Sequence, residues 1–240
     1  MKSLTAVQKW TLDTLFPREC VGCGATDNAL CDVCLSEIVL LKHQQCVRCL
    51  KITAQGKTCA TCRPHVELDY LLAAAHYNDG PLKEALHTYK YDGRLDLIEV
   101  LCSLILANKE LGQALESIVQ SSKDLSVVPV PLHRKRLWAR GFNQSRSIAH
   151  RISQHLHIPI DERVVTRPMY SVPQAKLHRQ ERLKSVEGIF AAPKTSRLQG
   201  KTVILVDDIA TTGATLNACA AALKEARAKR VIGLVVARAL

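Results

Sequence analysis

Residues 203–216 read VILVDDIATTGATL, and this stretch decides the fold. Its apolar start predicts a buried strand, and two adjacent acids, Asp207 and Asp208, follow that strand. A Thr/Gly turn then leads into an Ala-rich helix, predicted over 214–228. Ligands bind open α/β sheets at the carboxyl ends of their strands. The stretch therefore predicts an α/β fold with a ligand site beside the two acids.

The flanking segments extend the same pattern. Further buried strands are predicted over 68–77, 125–130 and 231–237, and further helices over 95–119 and 143–157. Apolar runs that alternate with helices are typical of a doubly wound, mainly parallel α/β sheet. We predict this fold for one domain, residues 67–240.

The turn after the acids has the composition of a phosphate site. Backbone N–H groups of a Gly-containing turn, backed by the positive end of a helix, can bind a phosphate, and threonine hydroxyls add donors. Carboxylates do not bind phosphate, so the acids are predicted to bind ribose hydroxyls or a magnesium-linked sugar beside it. A simple helix cap is the alternative, but two adjacent buried acids repel each other and need a stronger reason.

The cysteines predict a metal-binding module. Eight of the ten form four C-x-x-C pairs: Cys20/Cys23, Cys31/Cys34, Cys46/Cys49 and Cys59/Cys62. Each pair suits tetrahedral zinc, and two pairs complete a closed structural site. Similar spacers favour sequential pairing, with two zinc ions. Interleaved pairing, or one zinc with one redox pair, remains open. Cys102 and Cys219 are predicted as core residues.

The cysteine pairs define an N-terminal module, predicted over residues 1–66, that begins with an amphipathic helix over 4–16. The module contains few large apolar residues, so zinc should supply most of its stability. No apolar run approaches the roughly 20 residues of a membrane helix, which predicts no membrane insertion. Abundant cysteines without a signal-peptide core predict a cytoplasmic, metal-binding protein.

The chain is basic, with a formal net charge of +11. No acid lies between Asp124 and Asp161, and this stretch contains the candidates for contacts with pyrophosphate or DNA: Arg134, Lys135, Arg136 and Arg140. They follow a predicted strand, so they should lie at the same sheet edge as the phosphate site, where positive charge and Mg²⁺ would stabilise a pyrophosphate leaving group. The alternative is a solvated basic face.

Two aromatic residues, Trp138 and Phe142, lie among these arginines. Proteins that bind single-stranded nucleic acid combine basic residues for the backbone with rings on which bases stack. Single-stranded DNA is therefore a predicted partner, and packing of the rings in the core is the alternative.

The stretch 203–216 resembles the signature with which type I phosphoribosyltransferases bind 5-phosphoribosyl 1-pyrophosphate (PRPP). The resemblance implies that Asp207 and Asp208 bind the ribose hydroxyls. It also implies a 5-phosphate loop made of Ala210, Thr211, Thr212, Gly213, Ala214 and Thr215. Residues 163–184 resemble the mobile loop that closes over PRPP, with candidate contacts at Lys176, Arg179 and Arg182. Members that use 6-oxopurines carry an acid at the position of Thr211, which argues against that substrate class.

The whole chain resembles the ComF/GntX family, in which a zinc-ribbon region precedes a phosphoribosyltransferase-like domain. The matching pieces are the C-x-x-C pairs, residues 90–93, 128–131, 140–144 and 174–190, and the PRPP segment. The resemblance implies a role in competence, with partners among DNA-uptake proteins. Three functions follow: phosphoribosyl transfer to an unidentified acceptor, PRPP sensing without turnover, and handling of single-stranded DNA. The acceptor and the oligomeric state stay open.

Overall fold

The structure is a computed structural model that describes residues 19–169, 188–193 and 197–239. Its centre is a parallel sheet of four strands: β1 (Tyr70–His76), β2 (Leu125–Pro129), β3 (Thr202–Ala210) and β4 (Arg230–Arg238). Their order across the sheet is β1-β4-β3-β2, so β3, which carries the two acids, is an interior strand. The predicted parallel α/β sheet is confirmed. The predicted helix over 4–16 lies outside the described residues.

Helices cover both faces of the sheet. The described α-helices are α1 (Asp32–Ser36), α2 (Pro81–Tyr91), α3 (Leu97–Ala107), α4 (Lys109–Gln120), α5 (Arg134–Arg140), α6 (Gln144–Leu156) and α7 (Ala214–Glu225). Apolar residues of α2, α3, α4 and α6, such as Leu86 and Ile148, form one core with one face of the sheet. Leu216 and Leu223 of α7 form the other core with the opposite face. The sheet is therefore doubly wound, as predicted.

The long helix predicted over 95–119 is two helices that meet at Asn108. The Asn108 backbone is extended (φ −77°, ψ 102°), and its side-chain oxygen accepts a hydrogen bond from Leu111 N at 2.9 Å. Its side-chain amide donates to the carbonyls of Leu41 and Ala74, at 2.9 and 2.7 Å. The sequence keeps its helical periodicity across Asn108 and so does not indicate the break. The contacts that stabilise the break come from residues that are distant in the chain.

The segment between the second and third C-x-x-C pairs covers the free edge of β1. Leu41 N donates to the carbonyl of Ala74 at 2.9 Å. The Gln44 side chain accepts from Ala73 N at 2.9 Å and donates to Ala73 O at 3.1 Å. The cysteine module is therefore attached to the sheet by ladder-like hydrogen bonds. No helix among the described residues has the length and apolar character that crossing a membrane requires.

Candidate functional site

The two acids of β3 lie at the carboxyl edge of the sheet. Asp207 is 8% exposed and Asp208 is 3% exposed. Ser145 Oγ, in the first turn of α6, donates to Asp207 Oδ1 at 2.6 Å. Asn143 fixes that turn, because its side chain caps Ser145 N at 3.1 Å and donates to the carbonyl of Val130 at 3.0 Å. The loop after β2 and the start of α6 thus orient one of the two acids.

A lysine neutralises the second acid. Lys90 Nζ, near the end of α2, lies 2.5 Å from Asp208 Oδ2. Burial, and then repulsion by Asp208, raise the pKa of Asp207, while the hydrogen bond from Ser145 acts in the opposite direction. Asp207 and Asp208 therefore offer carboxylate oxygens to a ligand in a buried, poorly hydrated site.

The Thr/Gly turn after β3 has the shape of an anion-binding loop. Gly213 has φ +74° and is the N-cap of α7, and Thr212 Oγ1 accepts from Ala214 N at 3.3 Å. The turn and the first residues of α7 enclose a recess of about 20 Å³, and a group the size of one water needs roughly 10–15 Å³. The recess therefore has room for one oxygen-sized group at a helix N-terminus, where N–H groups favour negative charge.

A cavity of about 510 Å³ joins the acids, the loop and a group of cations. The cations that line it are Lys90, Arg136, Arg140 and Arg167, and Thr211 and Thr215 line it from the loop side. Its volume is within the range of small-molecule sites, roughly 300–1,000 Å³. Four cations against two acids favour an anionic ligand.

The basic segment after β2 forms most of helix α5. Helix α5 turns Arg136 and Arg140 toward the cavity, whereas Arg134 and Lys135 are exposed and do not line it. Arg140 donates to Gln144 Oε1 at 2.5 Å and lies over the ring of Tyr91 at 5.0 Å. Of the four predicted basic residues, Arg136 and Arg140 therefore line the cavity, and Arg134 and Lys135 face solvent.

The two aromatic residues of the basic segment also differ. Trp138 is 90% exposed. Phe142 packs edge-on against the buried ring of Tyr89, with centroids 5.4 Å apart. Phe142 therefore packs against the core, which is the alternative that the sequence left open, whereas Trp138 is exposed and available for stacking.

The structure describes residues 163–169 of the predicted mobile loop, and among these seven residues Arg167 lines the cavity. It is 7% exposed and its guanidinium lies 5.3 Å from the centre of the Phe190 ring. Burial, and then the charge of Arg136, lower its pKa. Lys176, Arg179 and Arg182 lie outside the described residues, and their roles stay predictions.

The eight paired cysteines form two clusters that follow sequential pairing. The first cluster contains Cys20, Cys23, Cys31 and Cys34, and the second contains Cys46, Cys49, Cys59 and Cys62. Within each cluster the sulfur atoms lie within 4.8 Å of one another, and the Cys23–Cys31 and Cys49–Cys59 sulfurs are 3.6 and 3.7 Å apart. Zn–S bonds of about 2.3 Å in a tetrahedron give sulfur–sulfur distances of about 3.8 Å. Both clusters therefore fit structural zinc.

The electrostatics of the thiols agree with this fit. Burial opposes ionisation of Cys20 and Cys46, but backbone N–H groups directed at the sulfurs lower the pKa of each to about 6. Burial and neighbouring thiols raise the pKa of Cys62 to about 12, and they also raise that of Cys34. Four crowded thiols cannot all ionise without a cation among them, and zinc binding supplies that charge. Cys102 and Cys219 are buried core residues, as predicted.

Comparisons with known proteins match both parts of the chain. Residues 11–63 match the double zinc ribbon domain family, and residues 143–239 match the phosphoribosyl transferase domain family. Competence protein ComFC of Bacillus subtilis is 30% identical over 206 residues, which cover 83% of this chain and 79% of that protein. The chain belongs to the ComF family. We call residues 19–36, which contain the first cysteine cluster, the first ribbon. Residues 46–62, which contain the second cluster, are the second ribbon.

Other relatives of this ComF-family chain have related names. Competence protein F of Haemophilus influenzae is 26% identical over 210 residues, 84% of this chain and 89% of that protein. DNA utilization protein YhgH of Escherichia coli K12 is 29% identical over 197 residues, 82% of this chain and 78% of that protein. Both alignments span most of the two proteins that they compare.

Sequence reasoning assigned no role to several residues of the cavity. In the sequence, Lys90 stands out only as part of residues 90–93, which resemble the ComF/GntX family. No neighbouring residue in the sequence indicates an ion pair with Asp208. Ser145 follows Asn143, a common N-cap residue, and that local signal places it at a helix N-terminus. Neither Lys90 nor α5 lies within the matched phosphoribosyl transferase region, which begins at residue 143.

Proposed function

We propose that this chain binds PRPP with Mg²⁺ in the cavity at the carboxyl edge of the sheet, and that it acts in the utilisation of external DNA. One observation carries the proposal. Two buried acids, an anion-binding turn and a helix N-terminus follow one another along β3 and α7, and they share a cavity with four cations. A sugar with a phosphate at one end and a pyrophosphate at the other complements this order.

Each part of the ligand has a group to meet it. Asp207 and Asp208 would accept hydrogen bonds from the ribose hydroxyls, and the 210–215 loop would bind the 5-phosphate through its N–H groups. Arg136, Arg140 and Arg167 would face the pyrophosphate. The cation that accompanies PRPP would neutralise part of the pyrophosphate charge. Lys90 already contacts Asp208, so its charge would remain beside that acid when the sugar binds.

The reaction that such a site supports is phosphoribosyl transfer. The bond from C1 of the ribose to the pyrophosphate oxygen breaks, with its electron pair leaving on the pyrophosphate, and a bond from C1 to an acceptor nitrogen forms. The acceptor nitrogen loses its proton to water. The arginines would stabilise the charge that develops on the pyrophosphate as it leaves. PRPP sensing without turnover is the alternative, and release of pyrophosphate distinguishes the two.

Calorimetric titration of PRPP with Mg²⁺ tests the binding step. The zinc-loaded wild type should bind, and the Asp207→Asn/Asp208→Asn variant should show no measurable binding. Asp79→Asn is the matched control, because Asp79 is an exposed acid whose ion pair with Lys83 lies outside the cavity. Absence of binding by the folded wild type would refute the proposal.

The DNA role comes from the relatives. Two of them are named competence proteins and one a DNA utilization protein, and we propose the same setting, in the cytoplasm, for this chain. In that setting the PRPP site and a nucleic-acid surface would belong to one protein.

Single-stranded DNA binding by α5 is the second candidate function, and the exposure of Trp138 favours it. A tryptophan that is 90% exposed on a helix of sequence RKRLWAR can stack a base while its neighbours contact phosphates. Arg134 and Lys135 share the exposed side of the helix, outside the cavity.

The division of α5 into two sides permits a paired test. Trp138→Ala and Arg134→Gln/Lys135→Gln should weaken binding of a single-stranded oligonucleotide, measured by fluorescence anisotropy at two salt concentrations, and leave PRPP binding unchanged. Arg136→Gln/Arg140→Gln should do the reverse. If Trp138→Ala leaves oligonucleotide affinity unchanged, α5 is not the nucleic-acid surface.

A further inference from the structure

The second ribbon packs directly on the phosphate loop. Val47, which follows the first cysteine of the second cluster, is 4% exposed. A Cβ added to Gly213 would lie 2.4 Å from Val47 Cγ2, so the glycine backbone sits against that methyl group. Gly213 also has φ +74°, which disfavours any side chain. The glycine of the loop is therefore required both by its own conformation and by the ribbon behind it.

A buried arginine joins the same ribbon to the sheet beneath the loop. Arg238, at the end of β4, is 2% exposed. Its guanidinium donates to the carbonyls of Gln45, Cys46 and Val47, at 3.1, 2.9 and 3.1 Å. Its Cα is paired in register with Ala210, where the loop begins. One residue therefore contacts the backbone of a cluster cysteine and is paired with the first residue of the loop.

A third contact holds the first turn of α7. The Asn217 side-chain oxygen accepts hydrogen bonds from the N–H groups of Glu67 and Leu68, at 2.7 and 3.2 Å. These two residues belong to the chain that leaves the second ribbon and enters β1. The loop and the helix N-terminus are therefore held by contacts with Val47, Glu67 and Leu68, none of which lines the ligand cavity.

The first ribbon lies elsewhere. Cys20 and Cys34 pack in the core that covers the other face of the sheet. A Cβ added to Gly22 would meet Pro81 at the start of α2, and Arg94 donates to the carbonyl of Glu19 at 3.3 Å. These contacts involve α2 and the segment after it, not the phosphate loop. The first ribbon contacts the start of α2, whereas Lys90 lies near the end of that helix, so the first cluster is the control for contact with the 210–215 loop.

We infer that the second zinc site, through Val47 and Arg238 as positioning residues, holds the phosphate loop in its anion-binding shape, so that sugar-phosphate affinity depends on the second zinc and not on the first. This inference rests on the proposed function for its ligand. Bound zinc would fix the positions of the cluster sulfurs, and the ribbon backbone would transmit that rigidity to Gly213.

The test compares two matched double variants, Cys49→Ser/Cys59→Ser in the second cluster and Cys23→Ser/Cys31→Ser in the first. Each should retain about one zinc per chain, measured by metal analysis. PRPP–Mg²⁺ affinity should fall at least about tenfold in the second-cluster variant and change by less than about threefold in the first. Hydrogen exchange of the peptide 209–218 should become faster only in the second-cluster variant.

A milder variant covers the case in which loss of a cluster unfolds the protein. Val47→Ala keeps every cysteine, so it should keep two zinc ions per chain, yet lower PRPP affinity severalfold and speed hydrogen exchange at 209–218. Gly213→Ala should lose less affinity in the Val47→Ala background than in the wild type, because the clash with Cγ2 is gone.

The outcomes separate the inference from the proposed function. If the wild type fails to bind PRPP, the proposed function is wrong, and hydrogen exchange alone decides whether the second zinc holds the loop. If PRPP binds and both cluster variants weaken it equally, or Val47→Ala changes neither affinity nor exchange, the inference is overturned while the proposed function stands.

Discussion

Asp207→Asn should stabilise the protein at pH 8 although it removes a residue of the candidate site. Asp207 is buried beside a second buried acid, so loss of hydration and like-charge repulsion both oppose its ionised form. Asn has nearly the same shape, and its side-chain oxygen can still accept the hydrogen bonds from Ser145 Oγ and Asp208 N, which are 2.6 and 3.0 Å long in the wild type. The substitution therefore removes the charge and keeps the packing.

The magnitude follows from the balance of these contacts. Burying an ionised carboxyl costs several kcal/mol before its partners are counted. The hydrogen bond from Ser145 and the nearby charge of Lys90 offset part of that cost. We expect a net gain of about 1–2 kcal/mol in the free energy of unfolding at pH 8. For a chain of this length 1 kcal/mol raises Tm by about 2–4 °C, so the expected increase is about 2–8 °C.

The sign of the pH dependence follows from the direction of the pKa shift. Folding raises the pKa of Asp207, so the folded wild type binds this proton more tightly than the unfolded chain does. Its stability therefore falls as the pH rises from the unfolded value, about 4, through the raised folded value. The Asn variant has no such group. The difference in Tm between variant and wild type should be small at pH 5 and should increase toward pH 8.

Differential scanning calorimetry of zinc-loaded protein between pH 5 and pH 8 measures this difference, and calorimetric titration of the same samples should show that PRPP binding is lost. Ser145→Ala is the control, because it removes a donor from the carboxylate and should lower Tm more at pH 8 than at pH 5. A variant less stable than the wild type at pH 8, or a difference that does not vary with pH, would contradict the account of charge in this cavity.

Three other changes test separate parts of the structure. Lys90→Met leaves the buried Asp208 without its ion-pair partner and should lower the free energy of unfolding by about 3–5 kcal/mol, and adding Asp208→Asn should restore part of it in denaturant titrations. Asn108→Ala removes a helix cap and two buried hydrogen bonds and should cost about 2–4 kcal/mol by the same assay; Asn108→Ser, which keeps only the cap and adds no charge, should fall between that variant and the wild type. Chelation of zinc should expose the edge of β1 and increase light scattering, and prompt zinc addition should prevent the increase.

The parts of the fold that the sequence predicts are those with strong local signals. The run from residue 203 to 206 is apolar throughout because an interior strand of a doubly wound sheet is buried on both faces. The cysteine pairs are recognisable because the geometry of zinc fixes their spacing. The separation of the basic residues of α5 into two sides is also indicated locally, because Arg136 and Arg140 are four residues apart and share one face of a helix.

The parts that the sequence does not predict depend on contacts between distant segments. The break at Asn108 is stabilised by carbonyls of Leu41 and Ala74, which are 67 and 34 residues away in the chain. The ion pair between Lys90 and Asp208 requires the end of α2 to lie over the end of β3, and no periodicity within either element encodes that placement.

The attachment of the two ribbons to opposite faces of the sheet has a consequence for how the site is built. β1 is an edge strand, and the segment that joins the ribbons satisfies its outer hydrogen-bonding groups, partly through the Gln44 side chain in place of a neighbouring backbone. An edge covered in this way does not pair with another chain. The same segment leads directly into Cys46 and Val47, whose carbonyls accept from Arg238 of the adjacent strand β4. Because one continuous segment covers the edge, enters the second cysteine cluster and contacts Gly213 of the 210–215 loop, the cysteine module is part of the framework of the candidate site.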